Sequence, residues 1–236
     1  MNYFTPFTDK LALRASNLFA HRQPTIVCLG DSVTHGAFES EPVSIYDPEA
    51  MYGERLRHIL AGLFPGASPV LINAGVSGDN APGGLRRIDR DVLSFQPDLV
   101  VVCFGLNDST RHDEGLSDYS AALNGIFDRL KDIPTIFITP CMMCTRVAVS
   151  EDSVWRQAAE LNSQTQTQGY MDRYMDAARD AARKHNVPVN DEYQHQQSWQ
   201  SNGVDTDLLL SNHINHPTRE IHQMWAHDLA NMILSD

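Results

Sequence analysis

The sequence predicts an α/β fold of flavodoxin-like type: a three-layer α/β/α arrangement around a five-stranded parallel sheet, with strand order 2-1-3-4-5. Three observations lead there. Short β-branched apolar runs alternate with amphipathic stretches of helical length. The runs lack the strict alternation of a sheet with one wet face, which indicates strands covered on both sides. Gly, Asn, Ser and Asp cluster directly after the first three runs, where open α/β sheets gather ligands.

Taken in order, the predicted strands are TIVCLG (25–30), PVLINAG (69–75), DLVVVCFG (98–105), PTIFITP (134–140) and NVPVND (186–191). Helices are expected near 49–64, 81–95, 117–131 and 151–185, with a last one at 218–234. In that last segment Ile221, Met224, Trp225, Leu229 and Met232 recur at helical spacing, interleaved with Arg219, Glu220, His222 and Asp228. The stretch from about 191 to 215 is polar, rich in Gln, Asn and Asp, and is read as a long functional loop. No repeat, low-complexity segment or linker divides the chain, so 1–236 is expected to form a single domain.

Composition narrows the partners. A formal charge of −12 leaves no basic stripe for phosphates and argues against nucleic acid. No segment approaches the roughly 20 apolar residues of a bilayer span, and the N-terminus lacks the pattern of a secretory signal. A cytoplasmic protein with reduced thiols is the expectation. Cys28 and Cys103 lie inside apolar runs, whereas Cys141 and Cys144 form a lone Cys-x-x-Cys, a weak redox or zinc signal without a second pair.

The order 2-1-3-4-5 places the first strand between the second and third. The loop beginning Gly30-Asp31-Ser32 is then flanked by one holding Gly75 to Asp79 and by another holding Asn107. A serine attacks a carbonyl only if a base takes its proton and donors receive the oxyanion. The donors expected are the N–H of Ser32, an N–H in the glycine loop and the side-chain amide of Asn107. The base expected is His216, which stands just before Pro217 and the final helix. His35 is a neighbour lining the site.

These residues resemble the SGNH (GDSL-type) hydrolase family. Gly30-Asp31-Ser32 looks like its first block, the stretch from Asn73 to Asp79 its second, Gly105 to Asp108 its third, and His216-Pro217 its fifth. The resemblance implies a serine esterase with Ser32 as nucleophile, His216 as base, and Ser32, Gly78 and Asn107 as the oxyanion hole. It implies no cofactor and no metal. Its substrate range covers acetylated sugars, short-chain esters, lysophospholipids and thioesters, and the polarity of 142–155 and 191–215 leans toward a carbohydrate acetyl ester.

One position departs from the family. An Asp usually stands three residues before the histidine, and here that residue is His213. The group that orients His216 is therefore open: a backbone carbonyl of this loop, Asp191, Asp205, Asp207 or His213. The missing acid also leaves room for a non-catalytic relative that binds a glycan or partner protein, and the Cys-x-x-Cys for a thiol redox protein. A zinc cluster of His213, His216, His222 and His227 is disfavoured, because the first two precede the helix rather than sharing a face of it.

Overall fold

The computed structural model describes residues 3–235. Its sheet has five parallel strands in the predicted order: β1 (Thr25–Gly30), β2 (Val70–Gly75), β3 (Leu99–Cys103), β4 (Thr135–Ile138) and β5 (Val189–Asn190), arranged β2-β1-β3-β4-β5. Gly30 lies opposite Gly75 on one side and Cys103 on the other. The carboxyl ends of these three strands are therefore level, and the loops that follow them emerge side by side.

Burial follows position in the sheet. Central β3 is buried throughout, and β1 at every residue after Thr25. Edge strand β2 keeps Val70 exposed, and β5 is only two residues long. Around the sheet run α1 (Thr5–Ser16), α2 (Ser32–His35), α3 (Tyr52–Leu63), α4 (Ala81–Asp91), α5 (Leu106–Ser109), α6 (His112–Leu130), α7 (Arg156–Thr167), α8 (Tyr170–Lys184), α9 (Glu192–Ser201) and α10 (Arg219–Leu234). One helical group pairs α3 with α10, and the other packs α6 against α4 and α8.

The segment 151–185 is two helices rather than one. Gly169, at φ +74°, breaks the path between α7 and α8. Within 191–215 the structure forms α9, where a loop was expected: Asp191 caps it by accepting from the Gln194 amide. Its buried face is built from Glu192, Tyr193 and Gln196, so it carries little apolar period to detect. In α10, Ile221, Trp225 and Leu229 are buried as expected, but Met224 is 43% exposed and Met232 only packs against the core's margin. Burying an aliphatic side chain such as Ile221 or Leu229 contributes roughly 1.5–3 kcal/mol. That burial anchors the helix directly behind His216. No helix among the described residues is long and apolar enough to cross a membrane.

Candidate functional site

Ser32 is the first residue of α2, directly beyond β1. Asp31 caps this short turn, its Oδ1 accepting from the Val33 amide at 2.9 Å. Burial, with the Asp79 charge adding, pushes the Asp31 carboxyl up to about 7, against the pull of that amide. The turn sits hard against β2. A Cβ on Gly75 would lie 2.2 Å from the His35 amide nitrogen, so only glycine lets the Ser32 turn approach the neighbouring strand. The helix-capping role of Asp31 and the exposure of the Ser32 hydroxyl to the cleft thus coexist.

His216 brings its Nε2 to 3.0 Å from Ser32 Oγ. Its Nδ1 lies 2.9 Å from the Phe38 carbonyl oxygen. A carbonyl only accepts, so Nδ1 carries the proton and Nε2 turns its lone pair to the serine hydroxyl. Phe38 is fully buried and firmly seated. The Arg219 guanidinium lies 4.2 Å over its ring, the His222 ring is 4.9 Å away, and its amide donates to the Ile45 carbonyl at 2.9 Å. The His216 imidazole is pushed below the usual histidine range by burial, with the Phe38 carbonyl opposing.

The orienting group is thus a carbonyl, but from the segment after α2 rather than from the loop that carries His216. The carboxylates considered are occupied elsewhere. Asp191 takes Arg179 Nε at 2.7 Å and Thr139 Oγ1 at 2.9 Å. Asp205 pairs with Arg146, and Asp207 accepts from the Thr145 and Arg146 amides. His213 is exposed at φ +57° and lines a recess beside the cleft.

One residue that the sequence reading missed organises the histidine loop. Asn212 is buried, and its Oδ1 accepts from the amides of Ile214 (3.0 Å), Asn215 (2.9 Å) and His216 (2.9 Å). Three donors converging on one side-chain oxygen fix the turn that presents the imidazole. Asparagine's tendency to bond backbone a few residues ahead is the signal that was available.

Gly78 occupies a turn closed by the Asp79 amide on the Val76 carbonyl at 3.1 Å. Its φ of +79° is what the third position of a type II turn requires, and a Cβ there would meet nothing within 4 Å. The demand at Gly78 is therefore conformational and not one of space. Asn107 Nδ2 donates to the Asp79 carbonyl at 2.8 Å, which ties the third loop to the second and leaves the amide's other N–H. Beneath them Arg87 joins the strands: Nε to Asp79 Oδ2 at 2.7 Å, Nη1 to the Ala74 carbonyl at 2.7 Å and Nη2 to the Gly30 carbonyl at 2.9 Å.

Ser32, Gly78, Asn107 and His216 all line one cavity of about 330 Å³. Tyr46, Trp155, Asn162 and Asn215 also line it, which makes its wall polar and aromatic. His35 does not line it; its Nδ1 lies 3.0 Å from Ser77 Oγ, on the rim. Cys141 and Cys144 are buried free thiols directed at the carbonyls of Asn215 and Ala159. Burial raises both thiol pKa values, Cys144 to about 12, which suppresses the thiolate that redox exchange needs. His222 accepts from the Tyr52 amide at 3.0 Å in the core. It forms no metal cluster with His213, His216 or His227 among the described residues.

A sequence model of the GDSL-like lipase/acylhydrolase family matches residues 28–224. No curated protein matches. Among solved structures, a lipase/acylhydrolase from Enterococcus faecalis is similar at TM-score 0.64 and 23% identity, covering 88% of this chain and 94% of its own. The acetyl xylan esterase AlAXEase aligns at TM-score 0.65 and 19% identity, over 87% and 97% of the two chains. A two-domain esterase active on acetylated mannans aligns at TM-score 0.66 and 18% identity, over 97% of this chain and 52% of that one. At these identities the likeness is one of fold.

Proposed function

The chain belongs to the GDSL-like lipase/acylhydrolase family, and from that premise and the site's geometry we propose that it is a serine esterase acting through an acyl-enzyme. One observation carries the reading. Ser32 Oγ is 3.0 Å from a histidine nitrogen whose tautomer is set by a carbonyl on the ring's far side. In the first step Ser32 Oγ attacks the ester carbonyl carbon while Nε2 of His216 takes its proton. The oxyanion receives the N–H groups of Ser32 and Gly78 and the free N–H of the Asn107 amide. Each such donor contributes roughly 2.7–4 kcal/mol to the transition state. His216 returns the proton to the leaving alcohol, then activates water for deacylation. No step calls for a cofactor.

The Phe38 carbonyl performs half of what a triad carboxylate does. It fixes the tautomer but brings no full negative charge to the imidazolium. A low-pKa histidine that is neutral at working pH fits that arrangement.

The substrate proposed is a carboxylic ester with a short acyl group, acetyl first, on a carbohydrate alcohol. The cavity of about 330 Å³ lies at the lower end of small-molecule pockets, and its asparagine-rich wall suits hydroxyl groups. Trp155, 37% exposed at the rim, offers a face for a sugar ring. The similar folds named for acetyl xylan and acetylated mannans support the same direction.

The test is hydrolysis of p-nitrophenyl acetate followed by labelling with an organophosphate. Turnover that is lost in Ser32→Ala, with label on Ser32, is the expected result. Unlabelled Ser32 together with glycan binding and no turnover would replace the esterase reading with a binding role. Acetylated oligosaccharides are expected to outrun long-chain acyl esters and thioesters in kcat/KM.

A further inference from the structure

Away from the cleft, where α9 meets α10, the fold buries a carboxylate whose second oxygen accepts no N–H or O–H hydrogen bond. Glu192 is 0% exposed. Its Oε1 accepts from Asn190 Nδ2 at 2.9 Å, but Oε2 accepts no hydrogen bond. The nearest cationic candidate is His195 Nδ1 at 3.5 Å, one turn along the same helix. Asp228 of α10 supplies a second carboxylate, and ligand atoms of all three residues lie within 4.8 Å of one another. Among the described residues no arginine or lysine pairs with Glu192 or Asp228.

Two carboxylates and an imidazole aimed at one spot, with one carboxylate dry, lack a positive charge at their centre. We propose that Glu192, His195 and Asp228 bind a divalent cation, best matched by zinc, which ties α9 to α10. Mixed imidazole and carboxylate donors suit a borderline ion. Two donors at about 2.0–2.2 Å from one tetrahedral zinc stand about 3.3–3.6 Å apart. The separation of Glu192 Oε2 and His195 Nδ1, 3.5 Å, falls in that range. Asn190 then serves the coordinating carboxylate from behind, as outer-shell donors do in metal sites. Burial, the Asp228 charge and a hydrogen bond with the Asp228 carboxyl hold the Glu192 carboxyl up to about 8, against the Asn190 donor, so zinc binding displaces a proton.

The site has a place in the fold. Residues 202–218, which include Asn212 and His216, run between the end of α9 and the start of α10. An ion joining those helices ties together the two elements that flank the segment delivering the imidazole. The inference is independent of the esterase reading, because no residue of it lines the cleft.

The experiment uses the whole protein after treatment with a chelator, titrated with zinc chloride by calorimetry and by equilibrium dialysis with metal analysis. One zinc per chain is expected, together with a melting temperature that rises with zinc concentration. His195→Ala and Asp228→Asn, both at accessible positions, should each weaken binding at least about tenfold. Ser32→Ala and His216→Ala should bind zinc like wild type, so failure of the esterase reading leaves this result intact. Absence of saturable binding would overturn the proposal, as would binding that survives both His195→Ala and Asp228→Asn. A third outcome also overturns it: Asp228→Asn stabilising the protein without zinc while zinc shifts no melting curve. In that case the two carboxylates simply share a proton.

Discussion

Arg87 donates from Nη2 to the Gly30 carbonyl at 2.9 Å, two residues ahead of Ser32. The same guanidinium holds the Ala74 carbonyl and Asp79. One planar fork therefore couples the level ends of β1 and β2 to the loop that carries Gly78. In the proposed mechanism this sets the distance between nucleophile and oxyanion donors.

Arg87→Met should accordingly lower kcat by roughly 100-fold, the cost of a reacting group displaced by about 1 Å, with KM changed little. Arg87→Lys should recover only part of it, since a single ammonium cannot reproduce the fork. Steady-state kinetics on p-nitrophenyl acetate checks both; a wild-type kcat in Arg87→Met removes the claim.

Asn212→Ala leaves three loop amides without their shared acceptor. A loss of about 1–3 kcal/mol in stability is expected from buried donors left unpaired, together with a drop in kcat as His216 loses its seat. Asn212→Asp retains an acceptor oxygen and should restore much of the stability. Urea denaturation beside kinetics distinguishes the two variants, and equal behaviour of both would contradict the hub role.

Asn107→Ala removes one proposed oxyanion donor and the brace on the Asp79 carbonyl. The expected fall in kcat is about 100- to 1,000-fold, with KM within a small factor of wild type. A variant with unaltered kcat would assign the oxyanion to the backbone amides alone.

The acidic limb of kcat/KM should report His216. Burial lowers its pKa from the ordinary value of 6.5, and catalysis as a base needs the neutral form. Activity should therefore persist as pH falls past 6.5 and be half-lost only below it. A midpoint above 6.5 in the wild-type profile would mean that a negative group, absent from the described contacts, faces the ring.

His222 makes a separate prediction about stability. Burial lowers it to about 3, with Arg55, His216 and Arg219 adding. Its folded pKa is below its unfolded one, so between these values the unfolded chain binds more protons. The His222 contribution is then full above pH 6.5 and is lost as pH falls toward 3. The stability difference between wild type and His222→Gln should change by about 1.4 kcal/mol per pH unit across that window. A difference independent of pH would show that the ring titrates normally.

Much of the fold was legible because apolar runs and glycine-rich strand ends report burial and close approach directly. Ser32, Gly78, Asn107 and His216 line one cavity for the same reason: level strand ends force their loops together. Helix α9 was not legible, since its buried face carries the polar Glu192 and Gln196, and the partner of the Gln196 side-chain carbonyl, the Met142 amide, lies far away in the chain. The partner of His216 Nδ1 escaped for a plainer reason. Every residue has a carbonyl, and only the packing of Phe38 beneath Arg219 selects which one faces the ring.

That choice of partner has a genetic consequence. The oxygen facing Nδ1 belongs to the peptide bond, so no codon change at position 38 can delete it. An alanine scan aimed at a third triad side chain would return a blank, although the interaction is present throughout. Damage to it would arrive only indirectly, through mutations at Arg219 or His222, whose side chains seat the Phe38 ring, that let the stretch of chain around residue 38 drift.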